Sequence, residues 1–286
     1  MKTAWDTSGT RFRRLYVRRA ANLIAVAIVS TILSQPSPLA AAENVNDLPG
    51  GGAGRVTVVV DGDTVRLKDG DADIRLIGLQ APKLSLGRKG FKDWPLADES
   101  RAALSALVMD REVTVRLGTS SRDRNGRILA HLVRDDGLWV QGEMLRQGWA
   151  RLYTFPDNRR LAAEMRAMET EARAERRGIW SHSFFAIRRA EDTALFGDRD
   201  TYQIVVGSVV DAARTKDRLY LNFGADFRND FTVSVAKANW PAFDEEAMDL
   251  TALEGAKIEV RGWITLRGGP AIEANHPDQI EILTRR

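Results

Sequence analysis

The chain has 286 residues, 44% of them apolar and 28% charged, which is the balance of an ordinary globular protein with room for two cores. It has no cysteine, which excludes disulfides, thiolate metal sites and a cysteine nucleophile. The formal charge of +3 suggests an anionic partner, but residues 1–42 hold six Lys/Arg against one Asp, so the remainder is slightly acidic. That first segment has the order of a secretory signal: a basic stretch ending at Arg19, an apolar run over Ala20–Leu33, and small residues Ala40-Ala41-Ala42 before Glu43. The apolar run is short of the roughly 20 residues a membrane span needs. The mature form is therefore expected to be exported, periplasmic or secreted, without a membrane span. Arg13-Arg14 leaves the Sec and twin-arginine routes both open.

The glycine-rich stretch at residues 43–54 reads as a linker. Strand patterns follow at Arg55–Val60, Thr64–Lys68 and Ile74–Leu79, with an Asp-Gly turn at Asp69-Gly70. Ser100–Val108 has helical spacing with Asp98 as N-cap, and two strands follow at Glu112–Leu117 and Arg127–Val133. Helices are expected at Val140–Gln147 and Leu161–Arg177, the second with Leu161, Met165, Met168 and Ala172 on its apolar face. Gly148 can end the first in the left-handed conformation. The order describes a small closed barrel with helices against it. Residues 181–200 read as a second linker. Beyond it, strands at Tyr202–Val210, Arg218–Phe223, Phe231–Val235, Lys257–Thr265 and Ile280–Leu283, with a helix near Asp244–Glu254, have the order of an oligonucleotide-binding (OB) barrel. The chain is thus mainly β with helices (α+β), in two domains at 55–180 and 201–286.

Charge separates the two. Residues 55–180 carry a net +4 and residues 200–286 a net −4, so a polyanion meets the first more readily. Tyr220, Phe223, Phe231 and Trp263 fall where strand core residues belong, so the second domain is read as a packing element or the site of a protein partner.

Three clusters in the first domain carry chemistry. Asp61 and Asp63 flank Gly62 at i and i+2, on one side of an extended chain, where both can face a cation. Arg75 sits in an apolar strand, where a guanidinium needs a partner. The Asp123-Arg124-Asn125-Gly126 turn delivers Arg127 to the next strand. Arg75 and Arg127 could fork one phosphodiester from two directions, or each could serve a structural ion pair. His131, His182 and His276 have no metal-ligand spacing, and no nucleophile elbow or Walker motif is present.

Taken in order from Val56 to Trp180, the Asp-Gly-Asp-Thr turn, the Arg75 strand, the Asp-Arg-x-Gly-Arg turn, Arg146-Gln147-Gly148 and the closing Gly178-Ile179-Trp180 resemble the staphylococcal nuclease (thermonuclease) family. The resemblance implies an OB-type five-stranded barrel and calcium-dependent hydrolysis of DNA and RNA. It implies that Asp63, with Asp61 beside it, holds calcium. Arg75 and Arg127 are implied to clamp the phosphate, with Thr64 at the substrate. At two positions the pattern breaks. Gln80 stands where the second calcium-binding carboxylate belongs, and Lys83 stands where the family has its Glu general base. A neutral amide is a poor calcium ligand, and an ammonium neither accepts a proton nor tolerates a neighbouring cation. Asp93, Asp98 and Glu99 are the nearest carboxylates that could stand in, although helix capping accounts for the last two. Three readings remain open: an exported nuclease with a reduced or altered site, a phosphate- or nucleic-acid-binding module that no longer cuts, and a structural or protein-interaction module, which the slightly acidic remainder of the chain allows.

Overall fold

The computed structural model describes residues 44–226 and 228–285, so the targeting segment expected over residues 1–42 lies outside the described residues. The first half contains β1 (Gly50–Asp61), β2 (Thr64–Leu67), β3 (Ile74–Leu76), β4 (Gly78–Gln80), α1 (Ala97–Val108), β5 (Glu112–Arg122), β6 (Ile128–Arg134), α2 (Val140–Arg146), β7 (Arg151–Tyr153) and α3 (Ala162–Ala174). Five of these strands close into a barrel in the order β1-β2-β3-β6-β5, with β3 and β6 parallel. Val56, Val65, Leu76, Val113 and Leu132 fill it, and Leu104, Met144 and Met165 from the helices seal it.

Three expectations need correction here. The stretch 43–54 is no free linker: Val45 and Leu48 are buried, and Gly50–Gly54 pairs along β5 from Gly50↔Arg116 to Gly54↔Val113. A sheet edge offers backbone hydrogen bonds whatever the side chain, and at Gly51 an added Cβ would lie 2.8 Å from Leu117. The run Ile74–Leu79 is also two strands. Gly78 has φ +77°, and a Cβ there would collide with Met165. The chain therefore turns out of the barrel at Gly78, and β4 pairs with β7 instead. The residue before α1 is Leu96, with no side-chain cap, and Asp98 instead pairs with Arg101 at 2.7 Å.

The second half contains β8 (Arg188–Arg189), β9 (Tyr202–Ser208), β10 (Asp211–Arg214), β11 (Arg218–Asn222), β12 (Thr232–Ala236), α4 (Trp240–Asp244), β13 (Lys257–Trp263), β14 (Thr265–Arg267), β15 (Gly269–Ala274) and β16 (Ile280–Thr284). Its sheets run β10-β11-β12-β15-β14 and β16-β13-β9-β8. Because β9 leads into β10 and β13 into β14, the two sheets are continuous through bent strands and repeat the first barrel's order. The parallel pair recurs as β12 with β15. The fifth barrel strand is therefore β15 and not Ile280–Leu283, which lies outside as β16 on β13. The Gly-Pro-Ala-Ile-Glu-Ala run of β15 has a single β-branched residue, Ile272, beside a proline and a glycine, so its composition does not mark a strand. Residues 181–200 are likewise not a loose linker: β8 pairs with β9, and Phe185 and Leu195 are buried in short 3-10 turns.

One face of β13 joins the two barrels. Glu259, Arg261 and Trp263 alternate onto the same side. Arg261 is 1% exposed and pairs with Glu169 of α3 at 2.9 Å and with Glu259 at 2.7 Å. Glu259 also takes Arg173 of α3 at 2.6 Å, and Trp263 Nε1 donates to the Tyr153 hydroxyl at 3.1 Å. Burial pushes the Glu259 carboxyl up, but the Arg261 and Arg173 guanidiniums outweigh it and hold its pKa below the ordinary value. Tyr202 OH donates to Leu152 O at 3.0 Å, and Thr154 Oγ1 lies 2.6 Å from His276 Nε2. The strand β7 and the residue after it thus serve both barrels.

Candidate phosphate-binding cleft

The tight turn between β1 and β2 is set by Gly62, where a Cβ would fall 2.2 Å from Ser100 Oγ. Asp61 Oδ1 accepts from Asp63 N at 3.1 Å, an interaction that holds the turn closed. Asp63 points inward and is 6% exposed. Its Oδ2 accepts from Ala81 N at 3.0 Å, and its Oδ1 faces Arg75 Nη1 at 3.0 Å and Thr64 Oγ1 at 3.3 Å. Burial pushes the Asp63 carboxyl up to about 7, against the pull of Arg75.

Arg75 lies on β3 opposite Thr64 of β2. Besides the ion pair, its guanidinium donates to the backbone oxygens of Asp63 (3.2 Å), Leu76 (3.0 Å) and Leu79 (2.6 Å). It is mainly a staple that fastens the turn to the start of β4. Arg127 is held differently. Asp123 Oδ2 takes its Nε at 2.8 Å and its Nη2 at 2.7 Å, while Asp123 Oδ1 accepts from the Arg127 and Asn125 amides. Gly126, at φ +79°, completes the turn. The guanidinium stays partly exposed, with Nη1 turned to no partner among the described residues.

Gln80 ends β4 and is 1% exposed; its Nε2 donates to Ala81 O at 3.2 Å, and its Oε1 is buried with no hydrogen-bond partner. Lys83 is half-buried, with Nζ 5.3 Å from the centroid of the Trp263 ring. Burial lowers its pKa, and Arg75 and Arg88 add to that, while Asp63 and Asp61 pull the other way.

These residues line two adjoining cavities. One of about 400 Å³ holds Asp61, Asp63, Arg75, Lys83, Arg88 and Arg127. The other, of about 580 Å³, shares Arg75, Lys83, Arg124 and Arg127 with the first and adds Gln80, Tyr153, Phe155 and Trp263. The expected residues Asp61, Asp63, Arg75, Gln80, Lys83 and Arg127 are therefore brought to one cleft. Thr64 is not on its wall: it is buried, and its hydroxyl is spent on Asp63.

The model of the staphylococcal nuclease homologue family matches residues 73–182. An uncharacterised endonuclease of Escherichia coli is 33% identical over 130 residues, which span 45% of this chain and 76% of that protein. The chain belongs to the staphylococcal nuclease family. Endonuclease Htp3 of Saprolegnia parasitica is 29% identical over 153 residues, 45% of this chain and 69% of that protein. Endonuclease YhcR of Bacillus subtilis is 28% identical over 144 residues, but only 11% of that protein is covered.

Staphylococcal nucleases are generally calcium-dependent, and the residues of this cleft do not fit calcium. A calcium ion takes six to eight oxygens and gains affinity from their charge. Both Asp63 oxygens are already committed to donors, and Gln80 offers one neutral oxygen. Lys83 brings a positive charge to the same cavity. The nearby carboxylates supply no replacement. Asp93 accepts from the Ser85 amide, Asp98 pairs with Arg101, and Glu99 is exposed on α1. Among the described residues no group of three His, Cys, Asp or Glu could hold a metal. His131 is buried with Nδ1 accepting from Trp139 Nε1 at 3.3 Å, and burial lowers its pKa to about 3.

Sequence reasoning missed Arg88, Arg124, Tyr153, Phe155 and the placement of Trp263. It expected Trp263 in the core of the second barrel, whereas the residue lines the cleft of the first. Being the last residue of β13, on the same face as Arg261, is the signal that could have found it.

Proposed function

We propose that this chain is an exported staphylococcal nuclease-family protein that binds nucleic-acid phosphates in its cleft without calcium and cleaves them feebly, if at all, by the calcium route. The observation that carries the reading is the commitment of both Asp63 oxygens to Arg75, Thr64 and the Ala81 amide, in a cavity that also holds Lys83. A built-in cation stands where the positive charge of a metal would act, and the catalytic carboxylate has no counterpart. What remains is a row of positive groups, Lys83, Arg88, Arg124 and Arg127, facing one cleft. Arg127, preset by Asp123, is the best-formed phosphate donor of the four, since a held guanidinium loses little freedom on binding. Export rests on the basic, apolar and small-residue order of residues 1–42, with cleavage near Ala42.

The endonuclease names of the relatives favour a second reading, phosphodiester hydrolysis, and cleavage resistant to chelator would be its signature. The test is binding of a labelled oligonucleotide by the mature protein across a salt series in chelator. Each phosphate neutralised on a single strand contributes ~0.7 to the slope of log affinity against log salt. Arg127→Ala should flatten that slope by about one such unit. No binding in chelator, or a salt slope unchanged by Arg127→Ala, would overturn the reading.

A further inference from the structure

The larger cavity has two unlike walls. Lys83, Arg124 and Arg127 make one, and Tyr153, Phe155 and Trp263 make the other. Phe155 is 47% exposed, unusual for a phenylalanine, and its ring lies 4.7 Å edge-on to Tyr153. Trp263 comes from the second barrel. Its indole is fixed by the hydrogen bond to Tyr153 OH and by Tyr202, whose ring centroid lies 6.1 Å away. The strand that carries it is anchored by the buried Arg261–Glu169 pair. Lys83 Nζ over the indole joins the cationic wall to the aromatic one. A rigid, partly exposed aromatic surface beside phosphate donors is the arrangement that holds a nucleotide by its base and its phosphate together.

We propose that Trp263 adds a nucleobase-stacking ring from the second barrel to this cleft, so that the second barrel takes part in holding the strand bound by the first. The inference rests on the phosphate-binding reading and extends it to a residue outside the matched family domain. A base paired in a duplex cannot present its face to the wall, whereas an unstacked base of a single strand can. The net negative charge of residues 200–286 does not oppose this, because Trp263 offers an uncharged ring and the phosphates stay on the first barrel.

The test compares two labelled strands of equal length in chelator, an oligothymidylate and its abasic counterpart, which has the phosphates but no bases. The full mature protein, Trp263→Ala and Trp263→Phe are titrated with each. Wild type should bind the thymidine strand more tightly than the abasic one. Trp263→Ala should weaken the thymidine strand at least about fivefold, the low end for one stacked base, and leave the abasic strand unchanged. Trp263→Phe should restore most of the loss, because it keeps a ring while losing the hydrogen bond to Tyr153. In wild type, a photoreactive 5-iodouracil strand should crosslink to Trp263, which tests the contact without any substitution. Equal affinity of the two strands for wild type, or a parallel loss of both strands in Trp263→Ala without the crosslink, would overturn the subsite and leave phosphate binding standing. Failure of wild type to bind either strand would overturn both.

Discussion

Replacing Arg261 by Met removes the cation at the centre of the joint between the barrels. The side chain is 1% exposed, so Met fills similar space and the change is chiefly one of charge. Glu169, fully buried, loses its partner at 2.9 Å and keeps only Arg173 at 3.8 Å, although its other oxygen still accepts from Leu152 N at 2.7 Å. Glu259 loses a contact at 2.7 Å and keeps Arg173 at 2.6 Å. One carboxylate is thus left nearly uncompensated and the other half-served, and breaking such a pair costs about 3–5 kcal/mol. For a chain of this size the melting temperature should fall by roughly 6–20 °C. The loss should depend on pH. Burial pushes the Glu259 carboxyl up, and Arg261 is the foremost group that holds it below the ordinary value, so the stability this contact adds is full above the unfolded pKa and is lost as pH falls through the depressed one. Denaturant unfolding of wild type and variant at pH 4 and pH 8 measures both features. A loss below about 1 kcal/mol at pH 8, or equal losses at the two pH values, would refute the reasoning, since a dispensable pair costs little to remove.

Other outcomes follow from the same geometry. Oligonucleotide affinity should fall as pH rises through about 7, where Asp63 becomes charged in the cleft, and Asp63→Asn should flatten that step in a binding titration. His276 titrates near 4 because burial disfavours its charged form, so neutral Nδ1–H donates to Asn275 and Nε2 accepts from Thr154. With its pKa depressed from about 6.5, the stability this residue contributes is full above that value and lost as pH falls towards 4, and His276→Gln should remove that part of the acid sensitivity in melts. Gly148→Ala forces a Cβ to 2.4 Å from Arg177 O at φ +76°, and denaturation should show a loss of about 2 kcal/mol or more. The paired change Gln80→Asp and Lys83→Glu, which supplies the missing carboxylates, should raise calcium-dependent cleavage of DNA above wild type, and Arg127→Ala in that background should abolish the gain.

Much of the first barrel was legible because its strands and helices carry clear periods, and the site residues arrived through ordered motifs around Asp63, Arg75 and Arg127. The break at Gly78 was not legible, because it depends on Met165 occupying the space above a glycine nearly ninety residues earlier. The burial of Glu169 was hidden for a similar reason. On α3 it reads as one more surface charge, and only β13 reveals its partner. Pairing of Gly50–Gly54 and of β15 depended on backbone edges, which composition does not record. In the cleft, sequence identified the two departures at Gln80 and Lys83. It could not show that Arg75 is consumed as a staple, nor that Trp263 crosses from the second barrel, since both are facts of tertiary contact.

The most direct test of the cleft's role follows one labelled single-stranded DNA through binding and cleavage in the same samples, with calcium and with chelator. Binding should be equally tight in both conditions, with the strand recovered intact or cut only feebly. Tight binding and brisk cleavage that appear only with calcium, and vanish with chelator, would contradict a site in which Lys83 and Arg75 have taken the place of the metal.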